Sequence, residues 1–147
     1  MDNEIVYKTG DGSIIDEAGD LWNELNRVHF EKSRDFKAEY QRYTFQDRRR
    51  ELLNKGELFI IIALLDNEKI GYCISSLSGN VGEIDSIYIK PNYRGNSIGS
   101  ALIKKSLDWI RSSQAEKIIL RFIAGNEEVL NFYSKFGFKP SHVELQL

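Results

Sequence analysis

The stretch I-Y-I-K-P-N-Y-R-G-N-S-I-G-S-A-L at residues 87–102 contains the most informative turn of the chain. It predicts a strand, then a short loop with Arg94 and Gly95, then a helix that begins near Ser97. The first backbone N–H groups of a helix have no internal partner and carry partial positive charge. Gly95 and Gly99 allow a close approach of the backbone, and the Arg94 guanidinium can add a charged contact. The pattern therefore suits a bound pyrophosphate.

Other interpretations of this turn are a plain helix start or a different nucleotide loop. In the first, Asn96 or Ser97 simply caps the helix, as polar residues often do. The pattern G-x-x-x-x-G-K followed by Ser or Thr is absent, because Gly95 and Gly99 are only four residues apart and no Lys precedes Ser100. The pattern G-x-G-x-x-G is absent as well. Neither a P-loop ATPase nor a Rossmann oxidoreductase is supported.

The elements around the turn predict an α+β fold, in which one mixed sheet has helices on both faces. Antiparallel hairpin strands precede the turn, and a strand–helix–strand unit follows it. The continuous apolar run Leu58–Leu65 predicts a first hairpin strand that is covered on both faces. The predicted strands are Ile5–Lys8, Leu58–Leu65, Lys69–Leu77, Glu83–Ile89, Lys117–Ile123 and Phe138–Leu145. The predicted helices are one that begins at Ser13 and others at Phe36–Asn54, Ser97–Ser112 and Glu127–Lys135. We expect residues 1–147 to form a single domain.

Composition excludes several classes of protein. Hydrophobic residues make up 41% of the 147 residues, which is enough for a core. A net charge of −2 lacks the cationic excess that nucleic-acid binding needs. One Cys and two His cannot form a disulfide framework or a Cys/His zinc site, so no metal is expected. No apolar run is long enough to span a membrane, and we expect a cytoplasmic protein without a membrane partner.

Two motifs make the sequence resemble the GNAT acetyltransferases. In these enzymes the loop after the fourth strand has the pattern Q/R-x-x-G-x-G/A. The segment R-G-N-S-I-G (Arg94–Gly99) aligns with this pattern. Ser97 stands at the family's central Gly, where a side chain either crowds the pyrophosphate or donates to it. The segment N-E-E-V-L-N-F-Y-S-K-F-G-F (Asn126–Phe138) resembles the family's N-x-x-A-x-x-F-Y-x-x-x-G-F. The resemblance covers residues 57–147 and, more loosely, the N-terminal helices.

The resemblance implies acetyl-CoA as co-substrate, with its pantetheine arm in a gap between two splayed parallel strands of a mostly antiparallel twisted sheet. Backbone groups of Ile87 and Ile89 would bind that arm like an added strand, and one N–H there would polarise the thioester carbonyl. The residues implied in cofactor binding are Ile87, Tyr88, Ile89, Arg94, Gly95, Asn96, Ser97, Ile98, Gly99, Ser100, Asn126, Asn131, Tyr133 and Lys135.

The resemblance also implies catalytic residues. Tyr133 is where the family often places the acid that protonates the leaving thiolate, although Val129, Phe132, Tyr133 and Phe136 also form an ordinary core stripe. Glu83 and Asp85 share one face of the strand that leads to the gap. Either carboxylate is a candidate for deprotonating an amine or holding a cationic substrate, and the alternative is a solvated strand end. Asn126 is a candidate helix cap and pantetheine ligand.

The resulting hypothesis is an N-acetyltransferase that transfers acetyl directly to a primary amine. A catalytically silent acyl-CoA-binding sensor or scaffold, and an interaction module without cofactor, are the alternatives. The acceptor stays open among small amines, antibiotics, amino acids, and peptide N-termini or lysines, since fold does not determine substrate. The run R-R-R at residues 48–50 is interpreted as a solvated helix face. A monomer or homodimer is expected.

Overall fold

A computed structural model describes residues 4–147 of the chain, and its centre is a five-stranded mixed sheet. The strands lie in sequence order, with three antiparallel pairings followed by one parallel pairing between the last two strands. They are β1 (Val6–Gly10), β2 (Glu57–Leu65), β3 (Glu68–Ser78), β4 (Val81–Ile89) and β5 (Lys117–Leu120). The helices are α1 (Gly19–Lys32), α2 (Lys37–Arg42), α3 (Phe45–Leu53), α4 (Ile98–Ser112) and α5 (Val129–Ser134), with short 3₁₀ turns at Gly12–Ala18 and Pro91–Tyr93. The predicted fold class is confirmed.

Each face of the sheet has its own hydrophobic core. In β2, Ile60 and Ile62 belong to the core under the N-terminal helices. Ile61 and Ala63 belong to the core under α4 and α5. Alternate residues of a strand point to opposite faces, so a continuous apolar run is the pattern of a strand covered on both sides. The prediction from Leu58–Leu65 is therefore confirmed.

The N-terminal helices differ from the prediction. The segment from Ser13 begins as a 3₁₀ turn before α1. The single helix predicted over Phe36–Asn54 is wrong, since the chain is extended at Thr44, which separates α2 from α3. Thr44 and Asp47 form a reciprocal capping box that starts a new helix. Periodicity alone did not identify this cap.

The C-terminal elements are shorter than predicted. The strand expected over Lys117–Ile123 ends at Leu120, and no strand forms over Phe138–Leu145 in the described chain. Val143, Leu145 and Leu147 alternate as a strand would, but their side chains are exposed. Without a partner strand, such alternation does not by itself produce a strand.

Candidate active site

The site begins where β4 and β5 separate. Their parallel pairing covers only Val81–Ile84 on β4 and Lys117–Leu120 on β5. At the same point β4 carries a bulge, because Ile84 pairs with Ser75 and Ser86 pairs with Ile74, which leaves Asp85 unpaired between them. Beyond Ile84, β4 therefore borders a gap in the sheet instead of a partner strand.

The backbone of Ile87 and Ile89 faces this gap. Lys90 N donates to Ile70 O on β3 at 2.9 Å, and in an antiparallel pair the backbone groups of alternate residues point to opposite edges. The N–H and C=O groups of Ile87 and Ile89 therefore point away from β3. The side chain of Tyr88 packs into the core under the N-terminal helices, and its hydroxyl donates to Glu24 Oε1 at 3.3 Å.

Arg94 lies against the strand end. Its Nε donates to Ile89 O at 2.9 Å, and its guanidinium carbon lies 5.5 Å from the centre of the Tyr88 ring. The side chain thus occupies one of the backbone acceptors at the open edge of β4. In this arrangement Arg94 links the loop to the end of β4.

The N-terminus of α4 has free backbone donors beside the gap. The first helical hydrogen bond runs from Ala101 N to Ser97 O at 3.0 Å. The N–H groups of Ile98, Gly99 and Ser100 therefore precede the hydrogen-bonded part of the helix. Such a group of donors, at the positive end of a fifteen-residue helix, can bind a phosphate.

Ser97 is the N-cap of α4, but its role differs from a usual cap. It adopts the left-handed conformation, with φ +62° and ψ +13°, and makes no side-chain cap bond. The Asn96 amide donates instead to Tyr93 O at 3.3 Å. The alternative interpretation, in which one of these two side chains caps the helix, is therefore wrong. A positive φ also explains why glycine suits this position in the GNAT pattern.

The two glycines of the loop do different things. Gly95 has φ +85°, and no other atom lies within 4 Å of the position that a Cβ would take. Gly99 is limited by packing, because a Cβ would lie 3.1 Å from Ile89 Cδ1 and 3.2 Å from Phe132 Cζ. Gly95 thus makes the turn possible, and Gly99 brings α4 close to β4 and α5.

A shallow pocket of about 440 Å³ lies next to this loop, on the surface of α4. Sequence reasoning missed its two cationic residues, Lys104 and Arg111, which follow Ser97 and Ser100 along the helix. Their spacings of three, four and seven residues place them on one face of the helix. The pocket adds positive charge next to the free N–H groups.

Glu83 and Asp85 form an ionic cluster at the start of the gap. Lys55 Nζ contacts Glu83 Oε1 at 2.6 Å and also contacts Asp85 Oδ1. Arg121 Nη1 lies 3.1 Å from Glu83 Oε2. The two carboxylates share one face, as expected. They are not a solvated strand end, since their side chains are 8% and 0% exposed.

Asp85 is the more confined of the two carboxylates. Burial raises the pKa of its carboxyl group, and the hydrogen bond from Lys55 opposes that shift. Its Oδ2 atom is buried without a hydrogen-bond partner among the described residues. A buried carboxylate in this position depends strongly on its one cationic contact.

Arg48 also reaches the cluster, and here the interpretation of residues 48–50 is corrected. Arg48 Nη2 donates to Asp85 O at 2.9 Å, and its side chain is mostly buried. Arg49 and Arg50 instead pair with Asp16 and Asp47 on the surface. The sequence, three consecutive arginines between Asp47 and Glu51, did not distinguish the inward-facing arginine from its neighbours.

Tyr133 lies in the core under α4 and α5. It is 8% exposed, and Val129, Phe132 and Phe136 pack against the same core, which confirms the predicted stripe. Burial raises the pKa of its hydroxyl, with a smaller contribution from Cys73. No hydrogen bond of this hydroxyl is found among residues 4–147, so a role for the oxygen requires a bound partner.

The remaining predicted cofactor residues lie around α5. The helix begins only at Val129, so the prediction that Asn126 caps it is wrong. Asn126 Oδ1 instead accepts from Lys32 Nζ at 3.0 Å, at the end of α1. Asn131 and Lys135 are exposed on or just after the helix.

The described residues contain neither a metal-binding cluster nor a membrane-spanning helix. Residues 4–147 contain no cluster of three or more His, Cys, Asp or Glu side chains that could hold a metal ion. Within the same range no helix has both the length and the apolar character needed to cross a bilayer.

Comparison with known proteins identifies the family. The model of the Acetyltransferase (GNAT) family matches residues 22–138. The glucosamine 6-phosphate N-acetyltransferase of Trypanosoma brucei brucei is 36% identical over 46% of this chain and 44% of its own length. The peptidyl-lysine N-acetyltransferase YjaB of Escherichia coli is 29% identical over 71% of this chain and 65% of its own length. The aligned part of the chain thus spans less than two thirds of either relative.

The fold agrees with a solved acetyltransferase. The PaiA N-acetyltransferase of Thermoplasma acidophilum, solved in complex with coenzyme A, superposes with a TM-score of 0.75. The superposition covers 96% of this chain and 93% of that chain, at 18% identity. The free helix N-terminus beside an open strand edge, the shared fold and the family match lead to one conclusion: this chain belongs to the GNAT acetyltransferase family.

Proposed function

We propose that the protein is an N-acetyltransferase that moves an acetyl group from acetyl-CoA directly to a primary amine. The observation that carries the proposal is the pairing of two features at one end of β4. The strand loses its parallel partner after Ile84, and α4 presents the free N–H groups of Ile98, Gly99 and Ser100 next to it. These features fit an extended arm that ends in a diphosphate.

The proposed binding site uses backbone more than side chains. The gap-facing backbone groups of Ile87 and Ile89 would pair with the pantetheine amides, and the α4 N–H groups would hold the pyrophosphate. Arg94 would add charge after release of Ile89 O. The strand end and the loop would be shaped by Tyr88, Gly95, Asn96 and Ser97. On the α5 side, the arm would be bordered by Asn126, Asn131, Tyr133 and Lys135.

The reaction needs a base for the acceptor amine. Bound acetyl-CoA supplies the activated acyl group as a thioester. Glu83 is the proposed general base, because its carboxylate lies at the start of the gap. One of its oxygens already contacts the ammonium group of Lys55 at 2.6 Å. Asp85 contacts the same ammonium group of Lys55 with its own carboxylate. The nitrogen–carbon bond forms as the carbon–sulfur bond breaks, and the proton removed from the amine passes to Glu83.

The leaving thiolate needs a proton donor, and Tyr133 is the proposed acid. Its ring is fixed by the α5 core, and its hydroxyl is protonated because burial raises the pKa. Replacement of Tyr133 by Phe keeps the ring and removes only the oxygen. We expect kcat to fall by about 10² to 10⁴ with an unchanged Kd for acetyl-CoA. Unchanged turnover would remove Tyr133 from the mechanism.

The acceptor is proposed only as a primary amine, on a small molecule or a peptide. The two relatives differ in acceptor, which is glucosamine 6-phosphate for one and a peptidyl lysine for the other. A single domain over residues 1–147, a cytoplasmic location, and a monomeric or homodimeric state stay predictions.

Two measurements test the function. Titration calorimetry with acetyl-CoA tests binding, and a thiol-release assay across a panel of sugar amines, aminoglycosides, amino acids and peptides tests transfer. We expect saturable binding and acceptor-dependent thiol release. Binding without release would favour a silent acyl-CoA-binding domain. Absence of binding would exclude both.

A further inference from the structure

Lys55 is a component of the site that neither the GNAT motifs nor the strand pattern identifies. It follows α3, and its Nζ lies between Glu83 and Asp85. Only 28% of its side chain is exposed, although lysine is ordinarily a surface residue. A lysine held in this way has a specific electrostatic effect on both carboxylates.

The backbone holds Lys55 in this position. Lys55 N donates to Leu52 O at 3.1 Å at the end of α3. The next residue, Gly56, has φ +139°, and a Cβ on it would lie 2.2 Å from Leu77 O on β3. Only glycine allows so close a crossing, so the turn is fixed against the sheet. The lysine therefore starts from a defined backbone position beside β4.

The other charged and titratable groups around the cluster cannot replace Lys55. Arg121 contacts only Glu83, and its side chain is 75% exposed, so solvent weakens that contact. Arg48 donates to the backbone oxygen of Asp85 and not to its carboxylate. From β3, Ser76 lies opposite Glu83 in the register, whereas the Cys73 thiol, whose pKa burial raises to about 12, belongs to the core on the α4 side. Lys55 is the one cation among the described residues that contacts both carboxylates.

We propose that Lys55 is a positioning residue for acetyl transfer, whose ammonium keeps Glu83 and Asp85 charged and orients Glu83 to accept the proton of the acceptor amine. The inference rests on the proposed function. Two buried carboxylates that share a face repel each other, and each favours its neutral form when unpaired. The Lys55 ammonium, in contact with both carboxylates, opposes that tendency and favours their charged forms. Without it, the pair takes up a proton at higher pH, and the base becomes unavailable.

The decisive experiment is the pH profile of kcat/KM for the full chain and for Lys55→Met, with the best acceptor found in the panel. A contacting opposite charge moves a carboxylate titration by about 1 to 3 pH units. We expect the acid limb of the Lys55→Met profile to move upward by that amount, with activity recovered at alkaline pH. Lys55→Arg keeps a cation and should return the limb toward the original pH.

Two further variants serve as controls. Lys8 forms a similar 2.8 Å pair with Glu17, but on the surface and away from the gap, so Lys8→Met should leave the profile unchanged. Lys55→Met combined with Asp85→Asn removes the cation together with the second buried charge. This double variant should restore the acid limb, because the repulsion between the carboxylates is gone. It also keeps the test available if Lys55→Met alone does not fold.

The outcomes separate the inference from the function on which it rests. No acceptor-dependent activity in the unchanged protein would refute the proposed function. An active parent with an unshifted acid limb in Lys55→Met would refute the role of Lys55, as would a loss of equal size at every pH. Carbon NMR of the Asp85 carboxyl group gives a readout independent of turnover. Its titration should move to higher pH in Lys55→Met, and an unmoved titration would also refute the inference.

Discussion

The loop of residues 94–100, which is proposed to hold the pyrophosphate, and the carboxylate cluster border the same gap but are assembled in different ways. The loop is made by consecutive residues 94–100, and its donors are backbone N–H groups at the start of α4. The cluster brings together Lys55 after α3, Glu83 and Asp85 on β4, and Arg121 beyond β5. The loop depends on local conformation, whereas the cluster depends on the packing of distant segments.

This difference indicates where each part of the proposed activity is sensitive to substitution. A backbone site tolerates changes of side chain as long as its φ and ψ values are kept. A buried ionic cluster tolerates few changes, because removing one partner leaves an uncompensated charge. Substitutions in the loop should therefore act on acetyl-CoA affinity, and substitutions in the cluster should act on chemistry and its pH dependence.

The largest expected effect is that of Glu83→Gln in the cluster. The amide keeps the shape but cannot accept the acceptor's proton, so we expect kcat/KM to fall by about 10² to 10⁴. Calorimetry should give an unchanged Kd for acetyl-CoA. Glu17→Gln removes a carboxylate from the surface pair with Lys8 and should leave both values unchanged. A large loss of acetyl-CoA affinity in Glu83→Gln would break the proposed division between the two regions.

The next largest expected effect is a pH dependence of the free energy of unfolding, caused by His29, whose imidazole is influenced by the charge of Arg48. Burial and then the charge of Arg48 lower the pKa of His29 from 6.5 to about 4. Above pH 6.5 the imidazole is neutral in both states and has no effect. As the pH falls from 6.5 to 4, the unfolded chain takes up a proton that the folded protein does not, and stability decreases by about 3 kcal/mol.

Urea unfolding between pH 7 and 4 measures this loss. In His29→Gln the decrease over this range should be smaller by that amount, since carboxylates still contribute their own part. His142→Gln replaces the exposed histidine and should follow the original curve. Parallel curves for the parent and His29→Gln would contradict the expected burial of a neutral imidazole.

In the loop, Gly95→Ala should have a moderate effect. At φ +85° an L-residue costs about 1 to 2 kcal/mol. If the loop keeps its shape, stability falls by that amount, and if it relaxes, the free N–H groups move and the Kd for acetyl-CoA rises by up to about 10-fold. Gly79→Ala introduces similar strain at φ +61° in another exposed turn, without an effect on Kd. Equal Kd changes in both variants would contradict a local role for the loop.

The smallest effect is expected from Ser97→Gly. Ser97 has φ +62°, so glycine relieves strain in the folded state but adds freedom to the unfolded chain. We expect stability to rise by less than about 1 kcal/mol and the Kd for acetyl-CoA to stay the same or fall. Gln114→Gly, at φ +66° beyond α4, is the matched control for stability alone. A weaker affinity in Ser97→Gly would indicate that the serine hydroxyl itself contacts the phosphate.

Much of the fold follows from patterns within the sequence. The continuous apolar run of β2 predicted a strand covered on both faces, and the spacing around α5 predicted its core-facing residues. These patterns reflect burial, which acts on each residue through its local geometry. The order of strand, loop and helix at residues 87–102 was likewise visible without tertiary information.

Other features depended on contacts between distant residues. The strand predicted at Phe138–Leu145 has suitable alternation but no partner, and the helix predicted over Phe36–Asn54 is divided by the Thr44–Asp47 cap. Asn126 was predicted to be a cap, yet it bonds with Lys32, which is 94 residues away. A period in the sequence carries no information about which distant group will be within reach.

The alternation of strands and helices and the glycine-containing loop follow from sequence patterns, because backbone conformation and burial periodicity are local properties. The shared face of Glu83 and Asp85 on β4 follows from them as well. It is only in the folded chain that these carboxylates become buried, that the strands separate after Ile84, and that Lys55, Arg121 and Arg48 converge there. Electrostatic partners act across space at a few ångströms, whatever their separation along the chain.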